Sequence, residues 1–419
     1  MAKFIIEGGQ QLKGEVEIKG MKNAATPILA ATLLTEKKCL IKNIPQITDV
    51  QNMIDLLESL GSQVRRMDQT TLEISNHRVS LRLLDKKIIQ NLRSSILFLG
   101  PLLARFGQVE IPEPGGCIIG NRPIDTHLYA LEQLGARIEK EDGFYGMKTS
   151  GLKGAKIILP EFSVTATENA VMAACLAQGK TIIKLAAAEP HVQDLCFFLN
   201  KMGAEIKGIG THTLEIRGVK KLAGAEHTII PDQIEIGTFA VAAAATRGEI
   251  KIKNIIPEHL EIILLKLKQI GVGFDLKGNF LHIHPSSNLK AFKLQVLPYP
   301  GFPTDLQAPF GVLATQARGT TLIQDPLYEG RMGYVQELVK MGANAIIADP
   351  HRVIFTGPTP LYGQEIRGLD LRAGATLIIA GLIARGQTII NQAEIIDRGY
   401  EKIEERLSAL GARIKRVED

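Results

Sequence analysis

The pattern Leu-x-x-Leu/Met/Ile-Gly followed by a β-like run occurs six times, ending at Gly61, Gly135, Gly203, Gly271, Gly342 and Gly411. The spacings between these glycines are 74, 68, 68, 71 and 69 residues. One such pentapeptide is common by chance. Six at near-constant spacing divide the 419 residues into six copies of one supersecondary unit of about 70 residues. A second landmark precedes each one. A small-residue helix ends and turns into a strand at Gly107, Gly179, Gly248, Gly319 and Gly386, with Lys37-Lys38 in the first copy. Glycine just past a helix end accepts the left-handed conformation that stops the helix. Each unit therefore reads helix, strand, helix, strand, with further short strands to its end.

The two helices of a unit differ in kind. Ala24 to Leu34, Phe239 to Ala245 and Ala373 to Ala384 are apolar nearly all round, whereas Val50 to Leu60 and Ile395 to Leu410 are amphipathic. The first kind is buried and the second faces solvent on one side. Three copies then make a domain with helices in the middle and sheets outside, and six copies make two such domains. The fold class is α/β, with a boundary near Thr228 to Pro231. The segment Lys3 to Ile18 precedes the first unit and is expected to complete the last one. The domains are then 22–229 and 1–21 plus 230–419, joined by a double crossover near Gly20-Met21. A solenoid without chemistry is the competing reading, but 70 residues is long for a solenoid repeat.

Composition narrows the function. Apolar residues are 45% and charged residues 22%, which is ordinary globular usage. The longest apolar stretch, Ala373 to Ala384, is too short for a membrane span of about 20 residues. The start Met1-Ala2-Lys3-Phe4-Ile5-Ile6-Glu7 does not read as a signal peptide, so a cytoplasmic protein with reduced cysteines is expected. A net charge of +5 suits acidic small molecules. Nucleic acid is disfavoured, because there is no basic run, no Trp and only 5% aromatic residues.

Two motifs invite wrong readings. Gln178-Gly179-Lys180-Thr181 looks like the end of a phosphate-binding loop, but position 174 is Ala where that motif needs Gly. It reads instead as the repeat's helix-to-strand turn. His282-Ile283-His284 puts two imidazoles on one face of a strand. No third ligand is evident, so a solvated face is expected there and no metal.

The chemistry concentrates elsewhere. Pro112 to His127 holds prolines, glycines, Cys117 and Arg122, in the one unit whose landmark gap is 28 residues rather than 23 to 25. A loop thiol near cations can have a lowered pKa and act as nucleophile or acid; the alternative is a structural glycine turn with an incidental thiol. Cys39, Cys175 and Cys196 sit in apolar repeat elements and read as small hydrophobes. Lys22-Asn23 opens the first buried helix, where an ammonium and a helix N-terminus can hold an anion. Asp305, Asp370-Leu371-Arg372 and Asp397-Arg398 each stand at a helix mouth. There a carboxylate is a helix cap, half of a surface ion pair, or a general base.

In this order, Lys22-Asn23, the loop Pro114-Gly115-Gly116-Cys117-Ile118-Ile119-Gly120-Asn121-Arg122-Pro123, Phe302-Pro303-Thr304-Asp305, Asp370-Leu371-Arg372 and Ile396-Asp397-Arg398-Gly399-Tyr400 span the chain. Together they resemble the UDP-N-acetylglucosamine enolpyruvyl transferases over the whole length. The resemblance implies an inside-out α/β barrel of two domains with three repeats each. It also implies transfer of enolpyruvyl from phosphoenolpyruvate to the 3-hydroxyl of UDP-N-acetylglucosamine, with release of phosphate, at the committed step of peptidoglycan synthesis. No cofactor is implied. Lys22, Arg122, Arg331, Arg372 and Arg398 would surround phosphoenolpyruvate. Asn23, Arg93, Arg122, Pro123, Ile124, Asp125, Thr126, Ser163, Val164, Thr165, Asp305, Leu327 and Asp370 would complete the substrate contacts. Asp305 would be the base for the sugar hydroxyl. Cys117 would be the acid, able to form an adduct with phosphoenolpyruvate and to be alkylated by fosfomycin. Domain closure would bring the Cys117 loop onto the arginines and exclude water.

The chain departs from the family pattern near the nucleotide. Glu161-Phe162-Ser163-Val164-Thr165 stands where Lys-x-Ser-Val-Gly is frequent, and Thr126 stands where Leu is usual. Three alternatives compete: the sister 5-enolpyruvylshikimate-3-phosphate synthases, a catalytically silent paralogue that binds UDP-sugars, and a basic RNA-binding repeat protein.

Overall fold

The computed structural model describes residues 2–83, 85–112, 115, 120 and 122–418. Two compact units emerge. Among these residues, one unit holds 20–83, 85–112, 115 and 122–230; the other holds 2–19, 120 and 231–418. They are called the first and second unit below.

The repeat has a backbone cause. All six landmark glycines adopt φ between +92° and +106°, where a side chain would be strained. Each ends an outer helix and turns the chain into an edge strand. The other landmark varies more. At Gly248 the left-handed residue is its neighbour Arg247 (φ 53°), and the glycine serves close approach instead. A Cβ there would lie 2.3 Å from the Leu12 carbonyl oxygen.

The second unit carries three four-stranded sheets. In each, a short strand runs parallel to the strand that follows a buried helix, as Lys13–Glu17 does to Glu249–Lys253. The N-terminal strand Ala2–Glu7 lies between Gln387–Asn391 and Arg413–Glu418, antiparallel to both, where the other repeats place a strand of their own. Lys13–Glu17 then joins a different sheet of the same unit. The first unit has two four-stranded sheets and one of three strands, Gln108–Pro112, Phe144–Lys148 and Arg137–Glu141.

Buried helices fill the middle of each unit. In the second, Gln233–Ala245, Gln307–Gln316 and Leu371–Ile383 pack on one another. Each has a glycine where a neighbour presses in: Gly237 under Leu306, Gly311 under Tyr334 and Gly374 under Ile396. A Cβ at these glycines would fall 2.5 to 2.7 Å from those side chains, so any larger residue would push the neighbour out of its present place. In the first unit, Leu99–Phe106 packs on Val164–Ala174. Lys22–Ala31 packs on the 3-10 segment Arg93–Phe98 that leads into Leu99–Phe106.

One expected element breaks in two. Ile395 to Leu410 is not a continuous amphipathic helix but a 3-10 segment, Ala393–Arg398, followed by the helix Ile403–Ala409. Between them Lys402 turns left-handed (φ 44°) and Tyr400 is driven inward. Its hydroxyl meets Thr238 Oγ at 2.9 Å, an interaction a continuous outer helix would not provide. The Gln178 to Thr181 segment is the repeat turn expected. Gly179 has φ 98°, and Lys180 opens a strand and pairs with Glu215 at 2.7 Å. Among the described residues no helix is long and apolar enough to cross a membrane.

Candidate active site

In the second unit the three buried helices start side by side. Asp232 caps the first, accepting from the backbone of Ile234 and Glu235; Asp370 caps the third through Arg372 and Ala373. Asp305, by contrast, is not a cap. It lies in a 3-10 turn, Thr304–Leu306, that enters Gln307–Gln316, and no side chain caps that turn. Its carboxylate faces two arginines instead. Oδ1 accepts from Arg331 Nη2 at 2.7 Å and Oδ2 from Arg372 Nε at 3.1 Å. The turn itself is held from behind by buried Asp325, which accepts from Thr304 Oγ1 at 2.5 Å and from the Leu327 amide at 3.0 Å.

Arg372 is buried, at 3% side-chain exposure, and Arg331 is nearly so, at 9%. Burial opposes the Arg372 charge, but Tyr400, Asp305 and Asp232 outweigh it and raise its pKa. Arg331 is raised in the same way, Asp305 and Asp370 outweighing desolvation. The carboxylates do not use every donor. Arg331 Nε and Arg372 Nη1 are buried with no hydrogen-bond partner among the described residues. An unmet donor on a buried cation costs free energy that an incoming oxyanion recovers. Three helix N-termini add positive potential at the same place. Desolvation pushes the Asp232 carboxyl up to about 6, against the pull of Arg372 Nη2 4.0 Å away.

Arg398 ends the 3-10 segment Ala393–Arg398, half-buried, two residues before Tyr400. Tyr400 lies under Arg372, 5.1 Å from guanidinium carbon to ring centroid. Asp397 turns away to a two-toothed pair with Arg416, at 2.9 and 2.6 Å. Leu327 is 40% exposed on the turn that follows Asp325.

The first unit gathers a second set. Lys22 Nζ pairs with buried Asp49 at 2.5 Å, so its ammonium already has a counter-ion at the helix mouth; Asn23 follows it in the first turn. Arg93 Nη2 donates to the Arg122 carbonyl at 2.5 Å. Pro123 and Ile124 lead into Asp125–Gln133, with Asp125 exposed in its first turn and Thr126 buried. Ser163 caps Val164–Ala174 through the Ala166 amide, and Thr165 Oγ1 and His127 Nε2 share a hydrogen bond at 2.7 Å. Burial and the charges of Arg93 and Arg122 push the His127 pKa down to about 3, so the imidazole is neutral. The departures noted in the sequence belong together: Thr126 Oγ1 donates to Glu161 Oε1 at 3.0 Å. The hydroxyl and the carboxylate thus stand as one hydrogen-bonded pair.

Cys117 lies outside the described residues. The other three thiols are buried. Burial raises the pKa of Cys39 and Cys175 and pushes that of Cys196 up to about 12, so none is a nucleophile near neutral pH.

A family model described as EPSP synthase (3-phosphoshikimate 1-carboxyvinyltransferase) matches residues 6–407. The UDP-N-acetylglucosamine 1-carboxyvinyltransferase 1 of Carboxydothermus hydrogenoformans is 45% identical over 417 residues, covering 100% of this chain and 99% of its own. The UDP-N-acetylglucosamine 1-carboxyvinyltransferase of Koribacter versatilis is 46% identical over 425 residues, with 100% and 97% covered. The chain belongs to the UDP-N-acetylglucosamine 1-carboxyvinyltransferase family. The enolpyruvyl transferase NikO from Streptomyces tendae has the same fold at 23% identity, with a TM-score of 0.90 and 99% of both chains covered. An EPSP synthase from Acinetobacter baumannii follows at 20% identity, with a TM-score of 0.76 and 100% of both chains covered. The fold is thus the inside-out α/β barrel.

Within this carboxyvinyltransferase framework, several residues that set the geometry escaped the sequence reading: Asp49 behind Lys22, Asp232 beside Arg372, and Asp325 behind the Asp305 turn. Asp232 had a usable signal. It precedes its buried helix as Asp370 precedes the equivalent one, so aligning the repeats would have found it. Asp49 and Asp325 had none, because their partners are distant in sequence.

Proposed function

We propose that this chain transfers the enolpyruvyl group of phosphoenolpyruvate to the 3-hydroxyl of UDP-N-acetylglucosamine and releases phosphate, in the cytoplasm, at the committed step of peptidoglycan synthesis. The relatives' shared name supplies the substrates. The observation that carries the chemistry is the pair of buried guanidiniums, Arg331 and Arg372, each with one unmet N–H at the mouth of three helices. That arrangement suits a ligand with several anionic oxygens, such as a phosphate ester that also bears a carboxylate.

In this reading Arg331, Arg372 and Arg398 bind phosphoenolpyruvate. Asp305, oriented by two charge-assisted hydrogen bonds, takes the proton of the sugar hydroxyl as its oxygen attacks C2. The methylene C3 gains a proton from the Cys117 thiol, which gives a tetrahedral adduct. The Cys117 thiolate then takes a proton back from C3, which re-forms the double bond as the bond from C2 to the phosphate oxygen breaks, and phosphate leaves with the proton held by Asp305. Proton gain and loss balance, and the phosphorus centre is never attacked. Lys22 and Arg122 supply further positive charge for phosphoenolpyruvate. Asn23, Arg93, Pro123, Ile124, Asp125, Thr126, Ser163, Val164 and Thr165 contact the nucleotide sugar, and Leu327 and Asp370 complete the substrate contacts. Cys117 is also the proposed target of fosfomycin.

The test is product mass. Incubation with both substrates should convert UDP-N-acetylglucosamine to a species heavier by one enolpyruvyl group in place of hydrogen. An unchanged nucleotide sugar after prolonged incubation would overturn the reading.

A further inference from the structure

The Phe280–Ile283 strand lies between Phe274–Lys277 and Glu249–Lys253 in a sheet of the second unit. Leu281, Ile283 and Ile250 point into the core, so the alternate positions share the outer face. That alternation puts His282 and His284 outward together, 4.5 Å apart between ring centroids. The neighbouring strands add what the sequence did not show. His282 Nε2 lies 3.1 Å from Glu249 Oε1, and His284 Nε2 lies 3.1 Å from Asp275 Oδ2. One ligand atom each of Glu249, His282 and His284 falls within 4.8 Å of the others.

We propose that Glu249, His282 and His284 form a surface site for one divalent transition-metal ion of the zinc class, with Asp275 orienting His284. Two neutral imidazoles and a carboxylate match that class; magnesium and calcium prefer oxygen alone. Bonds of about 2.0–2.1 Å in tetrahedral geometry put ligand atoms roughly 3.3 Å apart. The present separations close to that by side-chain rotation. The backbone is already pinned, since His284 N donates to the Gly273 carbonyl at 2.8 Å and Ser286 Oγ bonds both Gly273 N and the His284 carbonyl. The ion's two charges would meet two carboxylates, with a proton released from any imidazole that carries one. Lys251, the cation facing His282 across the strand pair, is drawn off over the Phe280 ring and towards Glu15. A carboxylate holding the second nitrogen of a ligating histidine is the usual support for such a site.

The cluster is separate from the Asp305 site. Glu249 follows the C-terminal end of Gln233–Ala245, whereas Asp232 caps its N-terminal end, roughly 20 Å away along the helix. The bound ion would clip two strands together, with Asp275 tying in the third through His284, and would stabilise the unit without touching the reaction.

The test uses the full chain, stripped with chelator and titrated with Zn2+ by calorimetry and with Co2+ by visible absorption. One equivalent should bind in the micromolar range. Tetrahedral cobalt bands should appear, and Zn2+ should raise the melting temperature. His282→Ala combined with His284→Ala should abolish all three responses while leaving the metal-free melting temperature close to the parent's. Glu249→Gln should weaken binding about tenfold or more. Should the double variant not fold, Glu249→Gln on this exposed face decides alone. No binding by the parent, or binding that survives these substitutions, overturns the proposal.

Discussion

Asp305→Asn separates two effects that a structural role would not separate. The substitution keeps the side chain's shape and leaves an acceptor for Arg331 or Arg372, but it removes one negative charge between two buried guanidiniums. Proton acceptance from the sugar hydroxyl is lost, and general base catalysis is worth about 10²–10⁴ in rate. Anion binding should move the other way. A carboxylate about 5 Å from a bound phosphate or carboxylate repels it by roughly 3 kcal/mol at an effective dielectric of about 20. Asp305 is 19% exposed on its side chain, so water and counter-ions reduce this. About 1 to 2 kcal/mol of tighter binding should remain, or about 5- to 30-fold in Kd. The assay is calorimetry with phosphoenolpyruvate and with inorganic phosphate, alongside turnover by phosphate release. The expected result is turnover down at least 100-fold, with both anions bound more tightly and UDP-N-acetylglucosamine affinity unchanged. Near-normal turnover would remove Asp305 from the mechanism. Weaker anion binding would refute the electrostatic reading of the cluster.

Arg398→Ala should weaken phosphoenolpyruvate binding more than nucleotide-sugar binding, checked by titrating each ligand separately. Cys117→Asp should keep measurable turnover and resist fosfomycin, since a carboxylic acid donates a proton without being a thiol nucleophile; equal inactivation of variant and parent by the drug would contradict this. Asp232→Asn tests the buried carboxyl. Because the Asp232 pKa is raised to about 6 on folding, its favourable contribution is full below about 4 and is lost as pH rises to 6. Asparagine caps as well as aspartate. The variant should therefore match the parent near pH 4 and be more stable at pH 7, by at most about 3 kcal/mol, with a flatter profile of melting temperature against pH between 4 and 6. Parallel profiles would remove Asp232 from the pH dependence.

The repeat was legible because a backbone requirement leaves a mark that no tertiary contact can replace. A helix that must end in φ near +100° selects glycine six times over. Burial of three helices was legible from their all-round apolarity. What sequence could not separate were roles that differ only in partners. Asp305, Asp370 and Asp397 look alike as acids at helix mouths, yet one faces two arginines, one caps, and one pairs with Arg416 on the outer side. The same blindness hid the break at Tyr400, whose inward turn depends on Thr238 and Arg372 far along the chain. It also hid Glu249 and Asp275 beside the two histidines, because strand register is not readable from one strand. The Thr126–Glu161 pair reads as two unrelated departures until the hydrogen bond joins them.

The central claim is the identity of the acceptor, and phosphate release tests it most directly. Phosphoenolpyruvate should be given with UDP-N-acetylglucosamine in one reaction and with shikimate 3-phosphate in another. Release that depends on the nucleotide sugar alone is the expected result. Release only with shikimate 3-phosphate, or none with either acceptor despite tight binding of the nucleotide sugar, would contradict it.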